Sequence, residues 1–218
     1  MTDAAVDRPP APEAVEALVV LDLQNDFLAP PELDAARDRL VRIASDLACR
    51  AHDAGALVVV VRTEHRADGS TWTLSMQEDR QGVVIEGTEG AELLPELDLH
   101  PDAAIIKTRD SAFVGTHFAD VLERAGVGTI AVVGVTTDLC VLMTAADAFA
   151  HDLRVVLVED GLAAEPRKHE AALRYLTESY RQDVVTSADV TFVVPPELHA
   201  STSARGIPMS PSSTVEPC

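Results

Sequence analysis

Three polar residues of complementary chemistry stand at the ends of three separate apolar runs: Asp22 after ALVVL, Lys107 after AAII, and Cys140 shortly after TIAVV. A thiol, a carboxylate and an ammonium are the set that covalent catalysis by cysteine needs: a nucleophile, a proton acceptor and a fixed cation. A free thiol titrates near about 8.5 and is mostly protonated at neutral pH. The ammonium and a helix N-terminus would lower that value, and Asp22 could take the thiol proton and return it to a leaving amine. Each residue alone has a plainer explanation, Cys140 as a buried apolar cysteine and Asp22 as a turn former. The lysine usage sharpens the case for Lys107. Of 17 basic residues only Lys107 and Lys168 are lysines, and Lys168 sits in the polar run EPRKHE, where it needs no special role.

Alternating apolar runs and helical periodicities supply the frame for these residues. Residues 1–16 are acidic and Pro/Ala-rich and read as a mobile leader. The stretch 17–27 begins as a buried strand, and 32–54 has Leu40, Ile43, Leu47 and Ala51 on one helical face. A second strand is expected at 56–61, followed by a long loop over 62–90 of the kind that forms lids and binding loops. A short helix at 91–97, a strand at 103–107 and a helix at 116–125 come next. Residues 129–133 are apolar and β-branched, as a strand buried on both faces would be. A helix then starts near Thr137 or Asp138, either a plausible N-cap, and carries Val141, Leu142, Ala145, Ala146 and Phe149. A strand at 153–160, a helix at 165–180 and an edge strand at 190–194 complete the domain; 195–218 is a Pro/Ser-rich tail.

This order predicts an α/β fold, one Rossmann-like three-layer αβα domain over 17–194 with a mostly parallel six-stranded sheet. The carboxyl ends of its strands share one edge, where ligands bind, so Asp22, Lys107 and Cys140 can meet there. Around them, Phe27, Trp72 and Phe113 are candidate pocket walls, with plain core packing as the alternative. Arg62 and Arg109 could hold a substrate carboxylate or serve in structural ion pairs. His65, beside Glu64 and Asp68, has no second histidine before His100, so no metal site is expected. The glycines of GVGTIAVVG precede a strand instead of joining a strand to a helix, which discounts a dinucleotide site.

Composition narrows the partners. A formal charge of -19 over 218 residues argues against nucleic acid and anionic membranes, both of which require a basic face. No apolar run is long enough to span a bilayer and no signal-peptide pattern opens the chain, so a cytoplasmic location is expected. Cys49, Cys140 and Cys218 have neither disulfide nor metal spacing, and reduced thiols are the default.

The runs LDLQNDF, KTRDSAFVGT and GVTTDLCVLMTAADAFAHDLRVVLVEDG, together with EGTEGAELLPEL, resemble the isochorismatase-like superfamily of cysteine hydrolases in the same order, from about Leu18 to Asp189. The resemblance implies a catalytic triad of Asp22, Lys107 and Cys140, and a cis peptide between Val135 and Thr136 that turns the Thr136 N–H inward. It also implies an oxyanion hole made by the backbone N–H groups of Thr136 and Cys140. It further implies no cofactor, a small-molecule substrate, and self-association as a homodimer or homotetramer. Nicotinamidases of the superfamily carry an aspartate and two histidines as metal ligands after the second strand; RTEHRAD lacks that spacing. The expected activity is a metal-independent cysteine hydrolase cleaving a C–N bond of a small amide, carbamoyl or ureido compound through a thioester. The alternatives are vinyl ether hydrolysis with Asp22 as acid, and a silent binding protein of the same fold.

Overall fold

The computed structural model describes residues 14–196. Six strands form one sheet in the order β3-β2-β1-β4-β5-β6: β1 (Ala17–Leu21), β2 (Leu57–Thr63), β3 (Ala103–Lys107), β4 (Thr129–Val135), β5 (Arg154–Ala163) and β6 (Asp183–Val185). Every pairing is parallel. The helices are α1 (Pro31–Asp34), α2 (Arg37–Ala54), α3 (Leu74–Asp79), α4 (Phe118–Ala125), α5 (Leu142–Ala150) and α6 (Pro166–Tyr180).

Alternate residues of each central strand point to opposite faces, and both faces are covered. Leu18, Val20, Val58, Val60, Ala131 and Val133 join Leu40, Ile43, Leu47 and Ala51 of α2 in one apolar layer. Ala17, Val19, Leu21, Val59, Val61, Ile130 and Val132 join Phe118 and Leu122 of α4, Ala145 and Ala148 of α5, and Leu176 of α6 in the other. The result is the three-layer αβα arrangement, with an all-parallel sheet. Among the described residues no helix is long and apolar enough to cross a membrane.

Several boundaries differ from the sequence reading, each for a physical reason. The sixth strand is Asp183–Val185, beside β5, and not 190–194. The longer apolar run instead packs under α2: Val190 and Phe192 lie in its apolar layer, and Phe192 forms a single bridge with Val15. Thus 14–16, the described part of the expected leader, is held against the sheet, and Glu16 Oε2 accepts from the Thr129 N–H at 2.9 Å. The rest of the leader, and the tail beyond 196, lie outside the described residues. The expected helix 32–54 is two helices separated at Ala35 and Ala36. Residues 91–97 form no α-helix, only a 3-10 turn at Glu89–Ala91. The loop over 62–90 contains α3, capped by the Thr73 side chain. Strand β4 continues through Val135, and one π-helical turn, Thr137–Val141, precedes α5 without a side-chain N-cap.

Candidate active site

Strand register brings the chemistry together. Thr63 and Lys107, the last residues of β2 and β3, are register partners, and Leu21 of β1 lies between Val61 and Gly134. Asp22 follows Leu21 at φ 53, a left-handed turn that takes the chain out of the sheet. Its carboxylate and the Lys107 ammonium stand 2.8 Å apart, both side chains fully withdrawn from solvent. The Lys107 ammonium also donates to Thr63 Oγ1 at 2.7 Å and to Cys140 Sγ at 3.3 Å. Thr63 Oγ1 in turn donates to Asp22 Oδ1 at 2.9 Å. The structure therefore places Asp22, Lys107 and Cys140 in one buried cluster, with Thr63 bridging the first two.

The electrostatics run opposite to one expectation. Burial raises the Cys140 thiol well above its ordinary value, and the adjacent Asp22 carboxylate adds to the rise; the lowering by Lys107 is smaller. The thiol is thus held protonated beside an acceptor, and the expectation of a lowered value is corrected. Burial, the largest single effect, pushes Lys107 down, but the Asp22 carboxylate, with the hydrogen bond to the Cys140 sulfur, outweighs it and the net shift is upward.

The turn after β4 borders the cavity. The Val135–Thr136 peptide is cis. Thr136 borders the cavity beside Cys140, and among the described residues its buried hydroxyl has no hydrogen-bond partner. Thr137 is tied to α6 by a 2.9 Å hydrogen bond between its hydroxyl and His169 Nδ1. Gly134 is required here: a Cβ would overlap the Leu21 carbonyl oxygen.

A cavity of about 210 Å³ opens over Cys140, lined by Phe27, Thr63, His65, Met76, Val84, Arg109, Thr136 and Leu139 among others. Phe27 and Arg109 therefore reach the cavity, Arg109 held by the Thr71 carbonyl at 2.9 Å. Three expected residues do not. Trp72 donates to the Arg66 carbonyl and covers Gly69 and Gly82. Phe113 stacks on His151 and meets Phe118 edge-on, in a separate hollow. Arg62 pairs with Glu64 at 2.7 Å and Glu92 at 3.8 Å. Each is occupied by a nearer partner, which is why a residue type and a position in the loop did not suffice. Among the described residues, no group of three or more histidine, cysteine, aspartate or glutamate side chains comes together as a metal-ligand set.

Sequence reasoning missed Thr63 and Gln24. Ending the second strand at Val61 hid Thr63, although it is a polar residue at a strand end, the same signal that exposed Asp22 and Lys107. Gln24 is fully buried and holds the Thr63 backbone on both sides, donating to its carbonyl and accepting from its N–H, each at 2.8 Å. Nothing in the sequence distinguishes it from a surface glutamine.

Residues 16–189 match the isochorismatase domain model. The chain is 33% identical to a probable inactive nicotinamidase of Arabidopsis thaliana, over 71% of this chain and 84% of that one. It is 35% identical to a streptothricin hydrolase of Streptomyces noursei, over 73% of this chain but only 57% of that protein's length. Among solved structures, an isochorismatase family protein from Desulfovibrio vulgaris superimposes with a TM-score of 0.71 at 31% identity, covering 87% of this chain and 98% of that one. With the family model spanning most of its length and such relatives matched over most of it, the chain belongs to the isochorismatase family of hydrolases.

Proposed function

We propose that this hydrolase is a cysteine amidohydrolase that cleaves a C–N bond of a small amide, carbamoyl or ureido compound without a metal ion. The observation that carries the reading is the Lys107 ammonium, within hydrogen-bonding distance of Asp22, Thr63 and Cys140 at once. Asp22 accepts the thiol proton as Sγ attacks the carbonyl carbon, so no free thiolate need accumulate beforehand. The developing oxyanion rests on the backbone N–H groups of Thr136 and Cys140. The amine departs with the proton from Asp22, and a water that gives its proton to Asp22 then hydrolyses the thioester. Lys107 balances the negative charge that passes between Asp22 and sulfur. A relative named nicotinamidase 3 of Arabidopsis thaliana, 33% identical over 74% of this chain and 80% of that one, supports an amide, and the cavity volume supports a small one.

The test is ammonia release from a panel of small amides and ureido compounds by chelator-treated protein, with Cys140→Ala and Cys140→Ser alongside. Release by the parent and none by either variant is expected. Full release by a variant overturns the reading.

The raised thiol favours one second reading, vinyl ether hydrolysis with Asp22 as acid and Cys140 as bystander. Turnover of isochorismate retained in Cys140→Ala would select it.

A further inference from the structure

His65 belongs to the cavity, yet the chemistry above gives it no task. It is 3% exposed, lies two residues beyond Thr63, and borders the same space as Cys140. Its backbone is fixed on both sides, the N–H donating to the Val84 carbonyl and the carbonyl accepting from the Glu86 N–H. Its Nδ1 lies 2.9 Å from the Thr71 carbonyl. A carbonyl only accepts, so Nδ1 must carry the hydrogen, and a neutral ring then leaves Nε2 as an acceptor. Burial, the largest effect, and the nearby charges of Arg109 and Lys107 keep the ring neutral by lowering its pKa, against the raising effect of the Thr71 hydrogen bond. Among the described residues the hydrogen bond of this ring is the one at Nδ1, and the ring borders the cavity.

Three segments supply most of the cavity lining, the turn after β4, the segment after β2, and Thr108, Arg109 and Asp110 after β3. On the cysteine amidohydrolase reading, the β4–α5 side, with Thr136, Leu139 and Cys140, would hold the reacting carbon and its oxyanion. The segment after β2, with His65, Thr73, Met76 and Val84, lines the same cavity and would face the remainder of the substrate. Most of the lining from that segment is apolar, and the Thr73 hydroxyl is already engaged with Met76 and Ser75. An acceptor that a ligand covers in such surroundings costs binding energy unless the ligand brings a donor.

Building on the cysteine amidohydrolase reading, we propose that His65 Nε2 is a specificity-determining acceptor for an N–H on the body of the substrate, outside the amino group that leaves. The preferred substrates are then amides, ureides or lactams that carry such an N–H, and an N-methyl counterpart is rejected.

The test compares hydantoate with its N-methyl counterpart, which differ in that single hydrogen and both release ammonia. The parent should prefer hydantoate in kcat/KM by about tenfold or more, the scale of one hydrogen bond left unmade. His65→Asn places an amide N–H where Nδ1–H stands, so the Thr71 contact survives while the Nε2 acceptor is lost. It should erase the preference, chiefly through KM, with the unfolding midpoint near that of the parent. In Cys140→Ala, the ¹⁵N resonance of His65 Nε2 should move on adding hydantoate, and less on adding the N-methyl compound. An Nε2 resonance that ignores millimolar hydantoate, equal treatment of the two compounds by the parent, or a preference that survives His65→Asn overturns the proposal. Ammonia release unchanged in Cys140→Ala, with the His65 effects intact, would instead overturn the cysteine chemistry alone.

Discussion

Lys107 Nζ stands 2.8 Å from Asp22 Oδ2 where neither side chain touches solvent. A buried pair of this kind is costly to break from one side, because the partner left behind is an uncompensated charge. Lys107→Met or Asp22→Asn should each destabilise the fold by about 3–5 kcal/mol. The double variant should lose less than the sum of the two, since neither charge is then stranded. Chemical denaturation of the three variants checks this; strict additivity would show that the pair is not coupled.

The thiol should titrate late. Burial and the Asp22 charge both raise Cys140, and Lys107 opposes them with a smaller effect. The pH midpoint for alkylation of Cys140 by iodoacetamide should therefore lie above that of a free thiol, and Asp22→Asn should bring it down. The same substitution removes the proton acceptor, so the thiol becomes more acidic while turnover disappears. A midpoint that rises in Asp22→Asn would contradict the assignment.

Stability should fall on the alkaline side for the same reason. An unfolded chain releases the Cys140 proton above about pH 8.5 while the folded protein retains it, so the unfolded state gains by up to about 1.4 kcal/mol per pH unit. Lys107, raised in the fold, contributes stability that is complete below about pH 10.4 and is lost as pH climbs through its folded value. Unfolding free energies measured from pH 7 to 10 should decline in the parent, and decline less from pH 8.5 upward in Cys140→Ala.

Most of this architecture is legible in the residues, and the exceptions have a common cause. ALVVL, VVVV and TIAVV can only be strands with both faces covered, and a polar residue at the end of each apolar run marks the edge where chemistry gathers. Asp22, Lys107 and Cys140 follow from that rule without any knowledge of contacts. Thr63 obeys the same rule and escaped only because its strand runs two residues past the apolar stretch. Trp72, Phe113 and Arg62 depend on which neighbour each side chain finds first, and the path of the 62–90 segment decides that. The edge strand shows the same limit: DVV and VTFVV are both strand-like, and the free edge of β5 selects the shorter one.

Thr63 makes the next prediction. Its hydroxyl accepts from Lys107 and donates to Asp22, so Thr63→Val keeps the shape and removes both bonds. The cost to stability should be about 1–3 kcal/mol, that of buried polar groups left without a partner. Turnover should drop further than stability explains, by about 10- to 100-fold in kcat, because the ammonium and carboxylate lose the group that fixes their relative position. Thr63→Ser retains the hydroxyl and should recover most of the activity.

Gly134 sets the distance between the two halves of the site. It sits at φ 130, opposite Leu21, and a Cβ there would overlap the Leu21 carbonyl oxygen and come within 2.9 Å of its nitrogen. Both are backbone atoms, so no side chain can swing aside to make room. The strands must separate, and with them Asp22, one residue beyond Leu21, from Thr136, two residues beyond Gly134. Gly134→Ala should therefore destabilise by more than about 4 kcal/mol, the range reached only by named structural lesions, and any protein that still folds should turn over poorly. Gly87 is also at positive φ, but a methyl group there would meet nothing within 4 Å. It separates the two causes, because Gly87→Ala bears only the conformational penalty of about 1 kcal/mol. Comparable losses in the two variants, measured by denaturation, would mean that the close approach of β1 and β4 is not what the glycine serves.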